Sequence, residues 1–335
     1  MESTDKTLHD MKKKLHSMKK WRQNTSKQRV IDNNLTEEDK RQVFEIPTIY
    51  EHTKGSYQNL RAVSKTIKDT MDKEKIHLDV YAERSDRFDD VVKVLKNIEE
   101  LSERASFDSL DLSQLYVNGM EPLLLKIIAE QRNSLKFLNF ENCSITSEAI
   151  ELVETMAKCS KLDHLNLSDL EHDRNDKVFC TLTPLLSKCT GLTDLDLSHN
   201  DQGGDCSISL ADSLPKWKLL ENLSLYCCGL NDDDIGFLTM SLPECNFLAN
   251  LNLGKNKIGE VGALFIVTVL PNCLALHTLY LHDNYLKDSG AEKFEKMLDD
   301  GQKKEMKLVL SANEISSTTR QRICNKHQNV ICIEI

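Results

Sequence analysis

No stretch of this chain reaches the roughly 18 consecutive apolar residues needed to cross a bilayer. The opening segment, MESTDKTLHDMKKKLHSMKKW, is charged but has no uninterrupted apolar run, so it does not read as a secretory leader. Positive charge is in short supply: 43 Lys and Arg stand against 53 Asp and Glu, a net charge of −10. A chain of that balance repels phosphate unless a local basic patch overrides it. Catalytic signatures are missing too. Gly254-Lys255 comes nearest to a phosphate loop, but Ala249 stands where its first glycine should be. No G-x-S-x-G, H-E-x-x-H or calcium-loop pattern occurs. No catalytic residue, cofactor or metal is therefore expected.

What is present is unevenly distributed. Residues 1–30 carry a charge of +6, residues 31–105 carry −4, and residues 106–335 carry −12. A basic arm thus precedes an acidic body, and nucleic acid could be met only through that arm, residues 6–29. All eleven cysteines lie between Cys143 and Cys332. An odd number with no secretion signal predicts reduced thiols in the cytoplasm, or else the nucleus.

The body is periodic. The template L-x-x-L-x-L-x-x-(N/C)-x-(L/I) is met at Leu135-Leu138-Phe140-Cys143-Ile145, Leu162-Leu165-Leu167 and Leu192-Leu195-Leu197-Asn200. It recurs at Leu220-Leu223-Leu225-Cys228-Leu230, Leu248-Leu251-Leu253-Asn256-Ile258 and Leu276-Leu279-Leu281-Asn284-Leu286. Weaker copies begin at Phe107 and near residue 305, and the steps between the eight starts are 28, 27, 30, 28, 28, 28 and 29 residues. In each copy the two central leucines face one side of a short strand, because strand side chains alternate. The Asn or Cys sits where the chain turns away, and its side chain can satisfy backbone groups the turn leaves open. Helically spaced runs such as Ile150-Val153-Met156-Ala157 and Ala263-Ile266-Val267-Leu270 fill the intervals. The third copy departs, with Leu170 at the ladder position and an Asp/Glu/His-rich loop, 169–176, after it. No repeat buries its apolar side alone, so neighbours must stack into one core.

Over about 107–335 this pattern resembles the ribonuclease-inhibitor class of leucine-rich repeats. The specific features are the 28-residue period and the ladder residues Cys143, Asn200, Cys228, Asn256, Asn284 and Asn313. Within the class, residues 196–230 look like repeats of Tonsoku-like scaffolds. The resemblance implies an α/β leucine-rich-repeat solenoid of about eight 28-residue βα repeats in a right-handed horseshoe arc. It implies a protein-binding module, regulatory or similar to the sensing ends of NACHT-type immune receptors. The class also includes nuclease inhibitors, nuclear scaffolds and the GTPase-activating protein for Ran. The last would need a loop arginine, for which Arg174 is the candidate in the repeats.

Residues 1–105 lack the repeat. Leu8, Met11, Leu15 and Met18, with lysines between them, form a basic amphipathic pattern within an arm and linker, 1–56. A helical segment, 57–106, follows with Leu60-Val63-Ile67-Met71 and Val91-Leu95-Ile98-Leu101. The second of these is expected to cap the repeat domain, 107–335, and the tail VICIEI to form a last strand.

Template positions 3, 5, 7 and 8 should project into the concave face. Glu141, Asp194 and Asp196, with Asp111, form an acidic stretch there, and Phe137 lies at position 3 of the second copy. Tyr226 and Tyr280 read as equivalents two repeats apart, with His282 and Asp283 beside the second. Tyrosine is enriched at binding hot spots because it buries a large area yet keeps a polar tip. The expected partner is a protein or peptide of basic character. Four cysteines, Cys159, Cys189, Cys245 and Cys273, recur three residues before a strand leucine and read as packing positions. Cys227 reads as an exposed thiol on the inner face.

Overall fold

The computed structural model describes residues 77–79, 88–113, 119–143, 149–170, 178–303, 306–327 and 331–332. The basic arm, the 60–71 helix pattern and Arg174 lie outside them.

One parallel sheet of ten strands runs in sequence order. Its members are β1 (His77–Asp79), β2 (Ser109–Asp111), β3 (Phe137–Asn139), β4 (His164–Asn166) and β5 (Asp194–Asp196). Then come β6 (Asn222–Ser224), β7 (Asn250–Asn252), β8 (Thr278–Tyr280), β9 (Lys307–Val309) and β10 (Ile331–Cys332). Two strands thus exceed the eight copies counted from the template: β1 pairs with β2, and β10, in the VICIEI tail, pairs with β9. β1 escapes the template because Lys75 and Val80 stand where the leucines on either side of Leu78 should be.

A helix fills each interval. They are α1 (Phe88–Ser102), α2 (Glu121–Glu130), α3 (Ala149–Met156), α4 (Val178–Leu186) and α5 (Asp205–Ser213). The series ends with α6 (Asp232–Thr239), α7 (Glu260–Val269), α8 (Lys287–Asp299) and α9 (Ser317–Lys326). Helix α1 buries Val91, Leu95, Ile98 and Leu101, the face its spacing predicts. It lies between β1 and β2, so its place in the chain order is that of a repeat helix.

Register stacks like on like. Leu110, Leu138, Leu165, Leu195, Leu223, Leu251, Leu279 and Leu308 form one column, and each is buried. The ladder residues do what the template predicts. Asn256 Nδ2 donates to the carbonyls of Leu225, Leu253 and Gly254, while its Oδ1 accepts from the N–H groups of Cys228 and Leu230. Asn200, Asn284 and Asn313 repeat the triple donation. In the Cys-type copies a thiol donates instead, Cys143 to Leu112 O and Cys228 to Leu197 O.

A second device recurs at position 8. Asn142, Asp169, His199, Cys227, Lys255, Asp283 and Ala312 all have φ between 50° and 60°, a region costly for side chains with a Cβ. In six of them the N–H donates to the position 7 carbonyl of the next copy, as Cys227 does to Gly254 and Lys255 to His282. The left-handed turn adds a rung beyond each strand and sets a non-glycine side chain at the rim.

One expectation about the cysteines fails. Cys180 of α4 and Cys206 of α5 are disulfide-bonded, so the eleven are not all reduced thiols. Cys180 belongs to the irregular third copy and Cys206 to the fourth, and their adjacent helices bring the sulfurs together. Burial pushes the thiols of Cys159 and Cys273 up to about 11 and those of Cys189 and Cys245 up to about 12, as inert packing residues require.

Candidate partner-binding surface

The inward side chains form two chemically different halves. Over β2–β5 the inward positions hold Asp111, Glu141, Asp169, Asp194 and Asp196, with no Lys or Arg among them. Over β6–β9 they hold Tyr226, Lys255, Tyr280, His282 and Lys307, with Asp283 as the lone carboxylate.

Much of the acidic half is occupied with its own architecture. Asp194 is only 5% exposed. It accepts from Thr193 Oγ1 at 2.7 Å and Asn222 Nδ2 at 2.6 Å, and it faces His164 Nε2 at 3.1 Å. His164 Nδ1 meets Asp163 Oδ1 at 2.7 Å, and Asn250 donates to Asn222 at 2.6 Å. A side-chain chain therefore runs across β4, β5, β6 and β7. At position 5, Asp111, Asn139, Asn166, Asp196 and Asn252 each accept from the N–H two residues on. These carboxylates and amides close local turns, which favours Asx residues there.

Glu141 is different: it is half-buried and faces the acids of neighbouring strands. Burial, then Asp196, Asp111 and Asp169, push its carboxyl up to about 7, against a hydrogen bond from Asn166. Burial also raises Asp196, offset in part by hydrogen bonds from Ser198 and Ser224. Near neutrality the acidic half therefore carries less charge than its composition implies. Phe137 stands half-buried between Ser109 and His164 in the row of position 3.

The other half is an aromatic cluster. Tyr226 is 3% exposed rather than displayed to solvent. Its ring stacks on His282 at 5.6 Å between centroids and meets His199 edge-on at 5.3 Å. The sequence-based pairing of Tyr226 with Tyr280 is corrected by the register. Tyr280 pairs with Asn252, which pairs with Ser224, so the counterpart of Tyr226 two repeats on is His282. Between them lies Gly254, whose missing Cβ would sit 2.5 Å from His282 Cε1. Tyr280, half-buried, meets the other side of His282 at 6.3 Å. Burial lowers the pKa of His282, opposed by Asp283, whose exposed carboxylate lies 4.0 Å from Nε2. Lys255 Nζ lies 6.0 Å from the Tyr226 ring centre, and Lys307 Nζ 5.7 Å from that of Tyr280.

Sequence reasoning marked Phe137, Glu141, Asp194, Asp196, Tyr226, Tyr280, His282 and Asp283. The register collects the acids on adjacent strands and Tyr226, Tyr280 and His282 in one cluster. It missed Gly254 and Lys307, the latter at position 3 of a copy whose template is weak. Cys227, expected exposed, is half-buried, and burial raises its thiol despite Lys255 and Lys257 nearby.

No family model matches the chain, and no curated protein matches it. Solved structures do. The tropomodulin C-terminal domain of Caenorhabditis elegans is similar over 42% of this chain and 84% of its own, at 15% identity and a TM-score of 0.34. Actin-binding site 2 of leiomodin-1 is similar over 48% and 90%, at 14% identity and a TM-score of 0.36. An internalin, inlF, of Listeria monocytogenes is similar over 82% and 94%, at 16% identity and a TM-score of 0.36. At that distance no residue or partner is carried over. The class rests on the chain's own geometry: a sequential parallel sheet, a leucine column and a ladder of Asn and Cys side chains make it a leucine-rich-repeat solenoid. Among the described residues no helix is long and apolar enough to cross a membrane.

Proposed function

We propose that the chain is a protein-binding module of the ribonuclease-inhibitor type, regulatory in role, which holds a basic protein segment on the inward face of its sheet. The observation that carries this reading is the run of five carboxylates on β2–β5 with no cation at the inward positions. Asp111, Asp194 and Asp196 also serve local architecture, but the five together leave this end of the sheet with a negative field that a cationic segment complements. Burial is the larger cause of the raised Glu141 carboxyl, and cationic groups of a partner would offset the part that comes from Asp196, Asp111 and Asp169. A basic ribonuclease is one partner of this chemistry, and failure to inhibit added pancreatic-type ribonuclease removes that case alone.

The reading places the module in the cytoplasm or nucleus, in line with the eight free cysteines among the described residues. A Cys180–Cys206 bond found intact in protein alkylated as cells are opened would move it to an oxidising compartment.

The test compares capture by the native chain with capture by Glu141→Lys/Asp169→Lys, both from the same lysate. These two positions are half-buried and lie outside the Asp194 network, so the variant is expected to keep its fold, which circular dichroism checks. The expected result is that basic proteins held by the native chain are lost from the variant. Equal capture by a folded variant contradicts the reading.

A further inference from the structure

The second half of the face points to a more particular partner. We infer that the surface is built for an extended bipolar segment, with its cationic residues over β2–β5 and a carboxylate over β7–β9. The inference rests on the proposed binding role of this face and adds the chemistry of the partner's other end.

Three observations meet at that end. Lys255 and Lys307 stand near the rings of Tyr226, just beyond β6, and Tyr280 on β8, and neither has an ion-pair partner among the described residues. His282 Nδ1 is a buried ring nitrogen with no hydrogen-bond partner, between Tyr226 and Tyr280. The rings themselves are packed against one another: Gly254 gives up its side chain so that His282 can lie across β7 onto Tyr226. The two ammonium groups, one half-buried and one exposed, form the surface that receives a carboxylate, and the packed rings with the buried His282 nitrogen lie beneath them. Asp283 at the rim is the opposing group, and it is exposed rather than set among the rings.

The acidic half cannot take that carboxylate, and the basic half repels the cations that the acidic half attracts. The two halves together orient one ligand and reject its reverse, a use of charge that favours specificity over raw affinity. Neighbouring strands lie about 4.8 Å apart, so the four steps from β4 to β8 span about 19 Å. An extended peptide covers that distance in about six residues at roughly 3.3 Å each.

The experiment uses the full chain and fluorescein-labelled synthetic peptides in Gly/Ser/Thr backbones, read by fluorescence anisotropy at low salt. One peptide carries an Arg pair, one a Glu pair, and one carries both pairs six residues apart, made in each chain direction. The better bipolar peptide is expected to bind about tenfold tighter than the Arg-pair peptide, the worth of two modest charge contacts. Lys255→Glu/Lys307→Glu should erase that gain and leave Arg-pair binding equal or stronger. The same charge change at Lys216 and Lys218, exposed before β6, should leave the gain intact. Equal binding of Arg-pair and bipolar peptides overturns this inference alone, as does a gain lost equally in both lysine variants. If the Arg-pair peptide itself fails to bind, the basic-partner reading falls first and takes this inference with it.

Discussion

The rings of Tyr226 and His282 stack 5.6 Å apart, although their strands are separated by a third. Gly254 makes this possible by presenting no side chain where the imidazole lies. Adding a Cβ to a glycine of ordinary backbone conformation is usually favourable, since glycine gives up more chain entropy on folding. Here the sign should reverse. Gly254→Ala is expected to cost about 1–3 kcal/mol by forcing the ring aside. In a His282→Ala background the same change should cost under about 0.5 kcal/mol. Urea unfolding of the four proteins in this cycle measures the coupling, and additivity would show that the ring does not occupy that space.

Glu141 gives the face a pH dependence. Its carboxyl titrates near 7 in the folded chain against an ordinary 4.5. Below about pH 4.5 both states hold the proton, and the folded state keeps it as the unfolded state loses it above that. The stability tied to this proton is therefore fully present below pH 4.5 and is lost as pH rises through 7. Glu141→Gln should match the native chain at pH 4 and exceed it at pH 8 by on the order of 2 kcal/mol. Identical stability curves across that range would show that the carboxyl titrates normally.

Asp194 should behave as an anchor. Truncating it leaves the groups of His164, Thr193 and Asn222 without their acceptor in a buried setting. Asp194→Ala is expected to cost about 2–4 kcal/mol. Asp283→Ala, at an exposed rim position, should stay within about 0.5 kcal/mol. Denaturant midpoints that move equally for the two would place Asp194 among ordinary surface acids.

The Cys180–Cys206 bond is open to direct chemistry. Iodoacetamide under denaturing, non-reducing conditions should label nine of the eleven cysteines, and all eleven after reduction, as read by intact mass. The 26-residue separation predicts that Cys206→Ser costs about 3 kcal/mol through freedom returned to the unfolded chain. Full labelling without reductant would mean the pair stays open in solution.

The periodic part of this account was readable from the sequence, because period-2 leucines and a fixed ladder residue carry their own physical reasons. The template position of Asn256 alone predicts its bonds to the backbone of the turn. Tyr226 was misread for two reasons. Counting from Leu220 and Leu276 puts the two tyrosines at positions 7 and 5, so treating them as equivalent misplaces one by two residues. Its burial, moreover, depends on a residue with no side chain, Gly254, which a list of projecting groups passes over. The acids at 194 and 196 were found, but their occupation was not, since Thr193, Asn222 and His164 converge on Asp194 only through the strand register. The disulfide was illegible because its partners lie 26 residues apart on neighbouring helices, one in the third copy, where the template breaks, and one in the fourth.

A protein partner on the inward side of the sheet must lie within reach of side chains that project there. Photo-crosslinking tests it most directly, with p-benzoylphenylalanine placed singly at Phe137 and Tyr280 on the sheet and at Met240 and Leu264 on the helical side, which are 38% and 43% exposed. The account predicts adducts with the captured partner from Phe137 and Tyr280 and none from the helical pair. Adducts from Met240 or Leu264, with none from the sheet, would contradict it and move the binding surface to the outer helices.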